Sequence, residues 1–341
     1  MQAPTTLEEL HERASRPDQG VIDALLACPG DVAVLGAAGK MGCHLARMVQ
    51  RALEAVGRSN KVYAVSRFSD PASKKPFEDC GIETISCDLS EVAQLAALPD
   101  CPNVFFLGGV KFGTAVDPEL LRRFNVEMPA LVAARYRSSR IVALSTGCVY
   151  PYVTPDSGGS VESDAIQPGG AYAESCSGRE TAFVLASENS GTSVCLIRLN
   201  YSVDLRYGVP VDIGQRLLSG DSVDVSMGYV NVIWQGDAIR HIVRALTVAS
   251  APAKVLNVTG ARTLSVRGIA NKLGQLLGVT PHFTGEEAPT AWLNNASQAH
   301  SLFGAPEIDE DQLFTWVSEW LKAGGKILNK PTHFETRDGK Y

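Results

Sequence analysis

No Cys-x-x-Cys pair and no His-Glu-x-x-His segment occurs in this chain, and its six histidines are scattered, so the ligand spacings of a zinc site are missing and no metal is expected. The eight cysteines, at 28, 43, 80, 87, 101, 148, 176 and 195, sit mostly in apolar strand-like contexts and read as reduced core residues. A dense run of Lys or Arg is also absent. With a formal net charge of −6 at pH 7, the chain offers no surface suited to a nucleic acid or an anionic membrane. No apolar run approaches membrane-spanning length, and Glu8, Glu9, Glu12, Arg13 and Arg16 stand where a secretory leader would be apolar, which points to the cytoplasm. What the chain does have is 341 residues at 45% hydrophobic content, enough for one large α/β domain or a major domain with a smaller lobe.

The organising stretch is residues 31–47, DVAVLGAAGKMGCHLAR. Val32, Val34 and Leu35 make the short apolar run of an interior parallel strand, and Gly36, Gly39 and Gly42 follow at three-residue spacing. The first glycine turns the chain off the strand, the second lets backbone amides approach a pyrophosphate, and the third lets the next helix pack close to the sheet. Lys40 and Met41 lie within this loop, and Leu45, Met48, Val49, Ala52 and Leu53 continue at helical spacing. Residues 1–28 form a polar lead-in of short helices, with Leu7, Leu10 and Ala14 on one face and Ile22, Leu25 and Leu26 on another.

Residues 61–65 are a second strand, whose end selects the dinucleotide. An acid there would bind the adenosine ribose of NAD; this chain has Ser66 and then Arg67, which favours NADP over NAD because a guanidinium meets the 2′-phosphate. A third strand at 83–86 runs into Asp88-Leu89, and a fourth at 104–107 ends in Gly108-Gly109, where bare backbone can lie against a flat ring or ribose. Residues 118–137 read as one long helix with Asn125 in its middle, an amide placed to tie neighbouring backbone together. A fifth strand at 140–144 leads to Thr146, and about two dozen residues later Tyr172 opens another helix. Alternation of this kind builds a doubly wound parallel sheet with ligands at the carboxyl ends of its strands, so a strand-end hydroxyl and a helix-start phenol can face one substrate.

These features, together with Asn125-Val126, the STGCVY stretch, IRLN at 197–200, VNVIWQGDAIRHIVRAL with Asp237, NVTG, Ser265-Val266 and NNASQAHSLFGAP, resemble the extended short-chain dehydrogenase/reductase family of epimerases, dehydratases and reductases. The resemblance implies a Rossmann domain over 29–200 and a mainly substrate-binding lobe over 201–341, with 229–262 returning to the Rossmann domain. It implies that Thr146 polarises a carbonyl or alcohol, that Tyr172 is the general acid/base, and that Lys111 stands next to the dinucleotide. Asp88, Leu89, Gly108, Gly109 and Asn125 join the cofactor site on the same grounds. A homodimer through the 118–137 helix and the Tyr172 helix is also implied, and both helices carry apolar residues on more than one face, including Val126, Met128, Phe183 and Val184.

Two departures from the family pattern matter. The lysine one helical turn after the tyrosine, which in the family binds the cofactor ribose and lowers the phenol pKa from about 10, is Cys176 here. Arg179 shares the helical face of Tyr172 but lies about 10 Å further along the axis, which reads as too far to take the lysine's place directly. Nucleotide-sugar members also clamp the diphosphate with arginines; Val230 holds one such position, and no arginine occurs within EEAPTAWLNNAS for the other. The expected protein is therefore an NAD(P)-dependent oxidoreductase or epimerase acting on a hydroxyl or carbonyl of a sugar acid, lactone or polyol, with Arg206, Asn231, Trp234 and Trp292 as candidate pocket residues. The alternatives are a non-catalytic dinucleotide sensor and a nucleotide-sugar epimerase or dehydratase.

Overall fold

The computed structural model describes residues 1–110 and 117–337; Lys111, expected beside the cofactor, lies outside the described residues. Seven parallel strands form the central sheet: β1 (Val32–Leu35), β2 (Val62–Ser66), β3 (Glu83–Ser86), β4 (Asn103–Phe106), β5 (Arg140–Thr146), β6 (Ser193–Leu199) and β7 (Lys254–Val258). Their spatial order is β7-β6-β5-β4-β1-β2-β3, so the winding reverses between β1 and β4 and opens a crevice at their carboxyl ends. The two-residue period of a strand explains why these apolar runs are unbroken. Val32 and Val34 enter one core layer while Ala33 and Leu35 enter the other, and β4 divides likewise, with Phe105 in the first and Phe106 in the second.

The element expected as one helix over 118–137 is interrupted. α-Helical turns at Pro118–Arg122 and Met128–Arg135 flank a π-helical segment at Arg123–Glu127. Pro129 supplies the reason: it has no N–H to give to the carbonyl of Asn125 four residues back, and its ring would crowd that carbonyl, so the backbone widens there.

Beyond β6 a smaller lobe gathers three two-stranded pairings and the helices Val209–Ser219, Val266–Leu277 and Glu310–Lys322 around its own apolar cluster. The helix Gln235–Arg244 and strand β7 return to the main sheet, whereas Tyr229–Val230 pairs with Leu264–Ser265 within the lobe. The lead-in divides in the same way. Leu10 and Ala14 of the helix Leu7–Ala14 join the lobe cluster, and Val21 and Leu25 of the helix Gln19–Ala27 join the main one. None of the described helices is long and apolar enough to cross a membrane.

Candidate active site

The crevice is a trough of two cavities that share a wall of Leu107, Gly108, Gly109 and Val110. Gly36 makes this geometry available: it sits at φ +83°, and a Cβ there would lie 2.7 Å from the Gly108 nitrogen, so only glycine lets the ends of β1 and β4 lie side by side. The helix Gly42–Ala55 begins at the trough with Met41 at its N-cap and no side-chain cap, which leaves first-turn amides for an anion such as a pyrophosphate.

The first cavity, of about 280 Å³, is lined by Gly36, Gly39, Ser66, Arg67, Asp88 and Leu89. The Arg67 guanidinium carbon lies over the Phe124 ring at 5.4 Å, which holds the charge at the cavity edge. Burial works to raise the Asp88 pKa, but bonds from the Ser90 hydroxyl (2.7 Å) and amide (3.0 Å), with Arg67 and Arg123 nearby, hold it below the ordinary carboxylate value. A cation thus stands at the edge of this cavity, and Ser66 and Arg67, not an acid, stand at the end of β2.

The second cavity, of about 270 Å³, is lined by Thr146, Tyr172, Gly109, Lys40, Met41 and Trp292 among others. Thr146 ends β5, with Oγ1 2.8 Å from Cys148 Sγ and accepting from the Cys148 amide at 3.3 Å. Tyr172 lies in the first turn of the helix Ala171–Ser190 and shares a hydrogen bond with the Cys176 thiol. Burial, with the Cys176 and Cys148 thiols close by, pushes the phenol pKa well above its usual 10, and the Arg179 charge opposes this. The phenol therefore stays protonated near neutrality. A strand-end hydroxyl and a neutral phenol on one cavity can both donate to a carbonyl oxygen, which is the arrangement needed to protonate it as it is reduced. Lys40 is drawn to this side of the trough, its Nζ 3.3 Å from the Tyr207 ring centroid.

Three residues expected at the pocket are placed elsewhere. Trp234 is 1% exposed and packs edge-on against Trp316 in the lobe core, while the next residue, Gln235, faces the cavity instead. Asn231 is a strut, accepting from the Asn294 amide at 2.8 Å and donating to the Arg262 carbonyl at 3.0 Å. Arg206 is bound by the buried Asp204 carboxylate through Nε (3.0 Å) and Nη2 (2.5 Å). Trp292 does reach the cavity, stacked on Tyr152 at 4.6 Å between ring centroids.

Asn125, swung inward by the π-helical segment, accepts from the Val110 amide and donates to the Val110 carbonyl and the Ser175 hydroxyl, each at 2.9 Å. Arg179, read as too distant, is also brought to the cavity wall. Long helical side chains lean toward the N-terminus, and an arginine arm covers much of the distance that helix rise alone suggests. The sequence also passed over Tyr201, which lines the cavity at an unusual φ of +38° directly after the IRLN motif.

The model of the family described as "NAD dependent epimerase/dehydratase family" matches residues 32–201. No curated protein matches the chain by sequence. Among solved structures, MoeE5 in complex with UDP-glucose and NAD is 20% identical with a TM-score of 0.69, covering 86% of this chain and 99% of that one. UDP-glucuronic acid 4-epimerase from Bacillus cereus, in complex with NAD, is 17% identical with a TM-score of 0.71, covering 87% of this chain and 100% of that one. A UDP-galactose 4-epimerase is 19% identical with a TM-score of 0.67, covering 86% and 99%. At these identities the likeness is one of fold.

Proposed function

Residues 32–201 of the chain belong to the NAD dependent epimerase/dehydratase family, and from that premise we propose that the protein is an NAD(P)-dependent oxidoreductase or epimerase acting on a hydroxyl or carbonyl of a small carbohydrate-derived substrate. The observation that carries this reading is the opening of Thr146 and Tyr172 onto one cavity, which shares the Gly108-Gly109 wall with the glycine-loop cavity. A bound nicotinamide supplies or accepts the hydride. Tyr172, held neutral, gives the proton to the substrate oxygen as it is reduced, and Thr146 orients that oxygen.

Substrate size follows from the same cavity. About 270 Å³ lies at the small end of ligand sites, and Thr332 walls it, held by Asp212 through its amide (2.7 Å) and hydroxyl (2.6 Å). Val230 is fully buried in the lobe core and offers no charge to a diphosphate. A sugar acid, lactone or polyol fits this space. Nucleotide sugars are the second reading, favoured by the ligands of MoeE5 and of the Bacillus cereus epimerase. Arg67 and the lack of an acid after β2 favour NADP over NAD. A cytoplasmic setting, in which the eight thiols stay free, and a homodimer belong to the same proposal.

The test is to follow nicotinamide absorbance with NADP and then NAD against sugar acids, lactones and polyols, and to titrate UDP-glucose and UDP-glucuronic acid. Turnover of a small substrate supports the reading, and micromolar affinity for a nucleotide sugar replaces it with the second. Tight dinucleotide binding without turnover points to a sensor. For cofactor choice, NADP is expected to bind more tightly than NAD, with the difference removed in Arg67→Ala; tighter NAD binding that is unaffected by the substitution overturns the preference.

A further inference from the structure

Two turns beyond Tyr172, Arg179 lines the second cavity, with its guanidinium against Gly109 of the wall that the two cavities share. It is 6% exposed, and it donates from Nη1 to the Leu144 carbonyl at 3.0 Å and from Nη2 to Asn125 Oδ1 at 2.8 Å. A guanidinium carries five N–H groups. Its Nε is buried and has no partner among the described residues. A cation's donor left unpaired in a buried place is costly, and the cost is removed only when something else accepts from it.

The surroundings are built around this charge. Gly109 sits at φ +148°, and a Cβ there would fall 2.1 Å from Arg179 Nη2, so the guanidinium lies flush with the end of β4 only because that residue has no side chain. Asn125 Oδ1 receives both Arg179 Nη2 and the Val110 amide, which fixes the fork against the wall. The wall is also a place of passage. A dinucleotide whose adenosine end lay by Ser66 and Arg67, and whose reactive ring met Thr146 and Tyr172, would pass along the shared Leu107–Val110 wall, and the ribose carrying the ring would then come within reach of the second cavity's lining, Arg179 included.

We propose that Arg179 is a cofactor-binding residue whose guanidinium donates to the hydroxyls of the nicotinamide-side ribose, supplying from two turns along the helix the cation that Cys176 does not. A vicinal diol offers adjacent acceptors, which suits a planar fork of donors. The proposal rests on the dinucleotide-binding reading above. The positive charge has a second effect, since it opposes the rise in the Tyr172 pKa caused by burial.

The experiment titrates the full-length protein calorimetrically with NADP and with 2′,5′-ADP, which occupies the adenosine end and lacks the second ribose. Arg179→Met is expected to weaken NADP by about tenfold or more, the loss of one bond to a charged group, while 2′,5′-ADP affinity stays unchanged. Arg179→Lys keeps the charge on a shorter arm and is expected to fall between; it also serves as the test if Arg179→Met does not fold. Equal loss of both ligands would make Arg179 a structural strut, and unchanged NADP affinity would remove it from the site; either result overturns the proposal. Wild-type protein that binds neither ligand would instead overturn the dinucleotide reading on which the proposal stands.

Discussion

A phenol whose pKa lies well above 10 is a proton donor across the whole neutral range, and Tyr172 is held in that state by burial and by the adjacent thiols of Cys176 and Cys148. Tyr172→Phe is therefore expected to lower turnover by roughly 10²–10⁴-fold with cofactor affinity unchanged, a split read by steady-state kinetics beside calorimetry. Restoring a lysine at 176 has a structural cost. Cys176 is completely buried against Val149 and Tyr150, so Cys176→Lys overpacks the site by about 1–3 kcal/mol and also buries an ammonium. A lower melting temperature is the expected result, and an unchanged one would mean that the site has room for the longer side chain.

His44 carries a pH dependence. Burial is the main cause lowering its pKa to about 3, and its ring nitrogens meet His11 Nδ1 at 2.7 Å and Gln235 Nε2 at 2.6 Å. The unfolded chain takes up this proton near pH 6.5 and the folded chain only near 3, so the stability that neutral His44 contributes is complete above about 6.5 and is lost as pH falls toward 3. Thermal melts across that window should fall with acid, with a shallower slope in His44→Gln; an identical slope would assign the effect to other groups.

At the scale of elements, the π-helical segment Arg123–Glu127 does the positioning, because it turns Asn125 onto Val110, Ser175 and Arg179 at once. Asn125→Leu keeps a similar volume and leaves those partners unsatisfied. A loss of about 2–4 kcal/mol in urea denaturation is expected, together with weaker dinucleotide binding. Full affinity in a destabilised variant would show that the segment supports the fold and not the site. The signal for this element was in the sequence as Pro129, but a proline within a helical pattern is equally consistent with a break, a kink or a widened turn. Only packing against the end of β4 selects among them.

Across the whole molecule, the groove between the helices Met128–Arg135 and Ala171–Ser190 is lined by Ala130, Ala134, Ala182 and Leu185, and Leu185 is 47% exposed. Met128 and Phe183 are buried in the core beneath, because the helices turn their bulkier residues to the sheet and leave alanines outside. A second copy of the chain seated in that small-residue groove is the proposed dimer. Light scattering at micromolar concentration should give twice the chain mass, and Leu185→Arg should give the monomer; a monomeric wild type removes the dimer.

The sequence by itself determined the parallel sheet, its glycine turn and the residues at its strand ends, because strand period, glycine spacing and chain order are local properties that survive without knowledge of the partner surface. That Thr146, Tyr172, Ser66, Arg67 and Gly109 line the two cavities was legible for that reason: each adjoins the end of a strand or the start of a helix. The lobe was not legible in the same way. Whether Trp234 or Gln235 faces the cavity depends on a turn of one residue at a helix start, and the apolar indole went to Trp316 while the amide went to the trough. Distance along a helix likewise did not show that Arg179 lines the cavity, since reach depends on the direction in which a long side chain leans and on the gap left by Gly109, far away in sequence. Tertiary structure alone decided those points, because each is a competition among surfaces brought together only by folding.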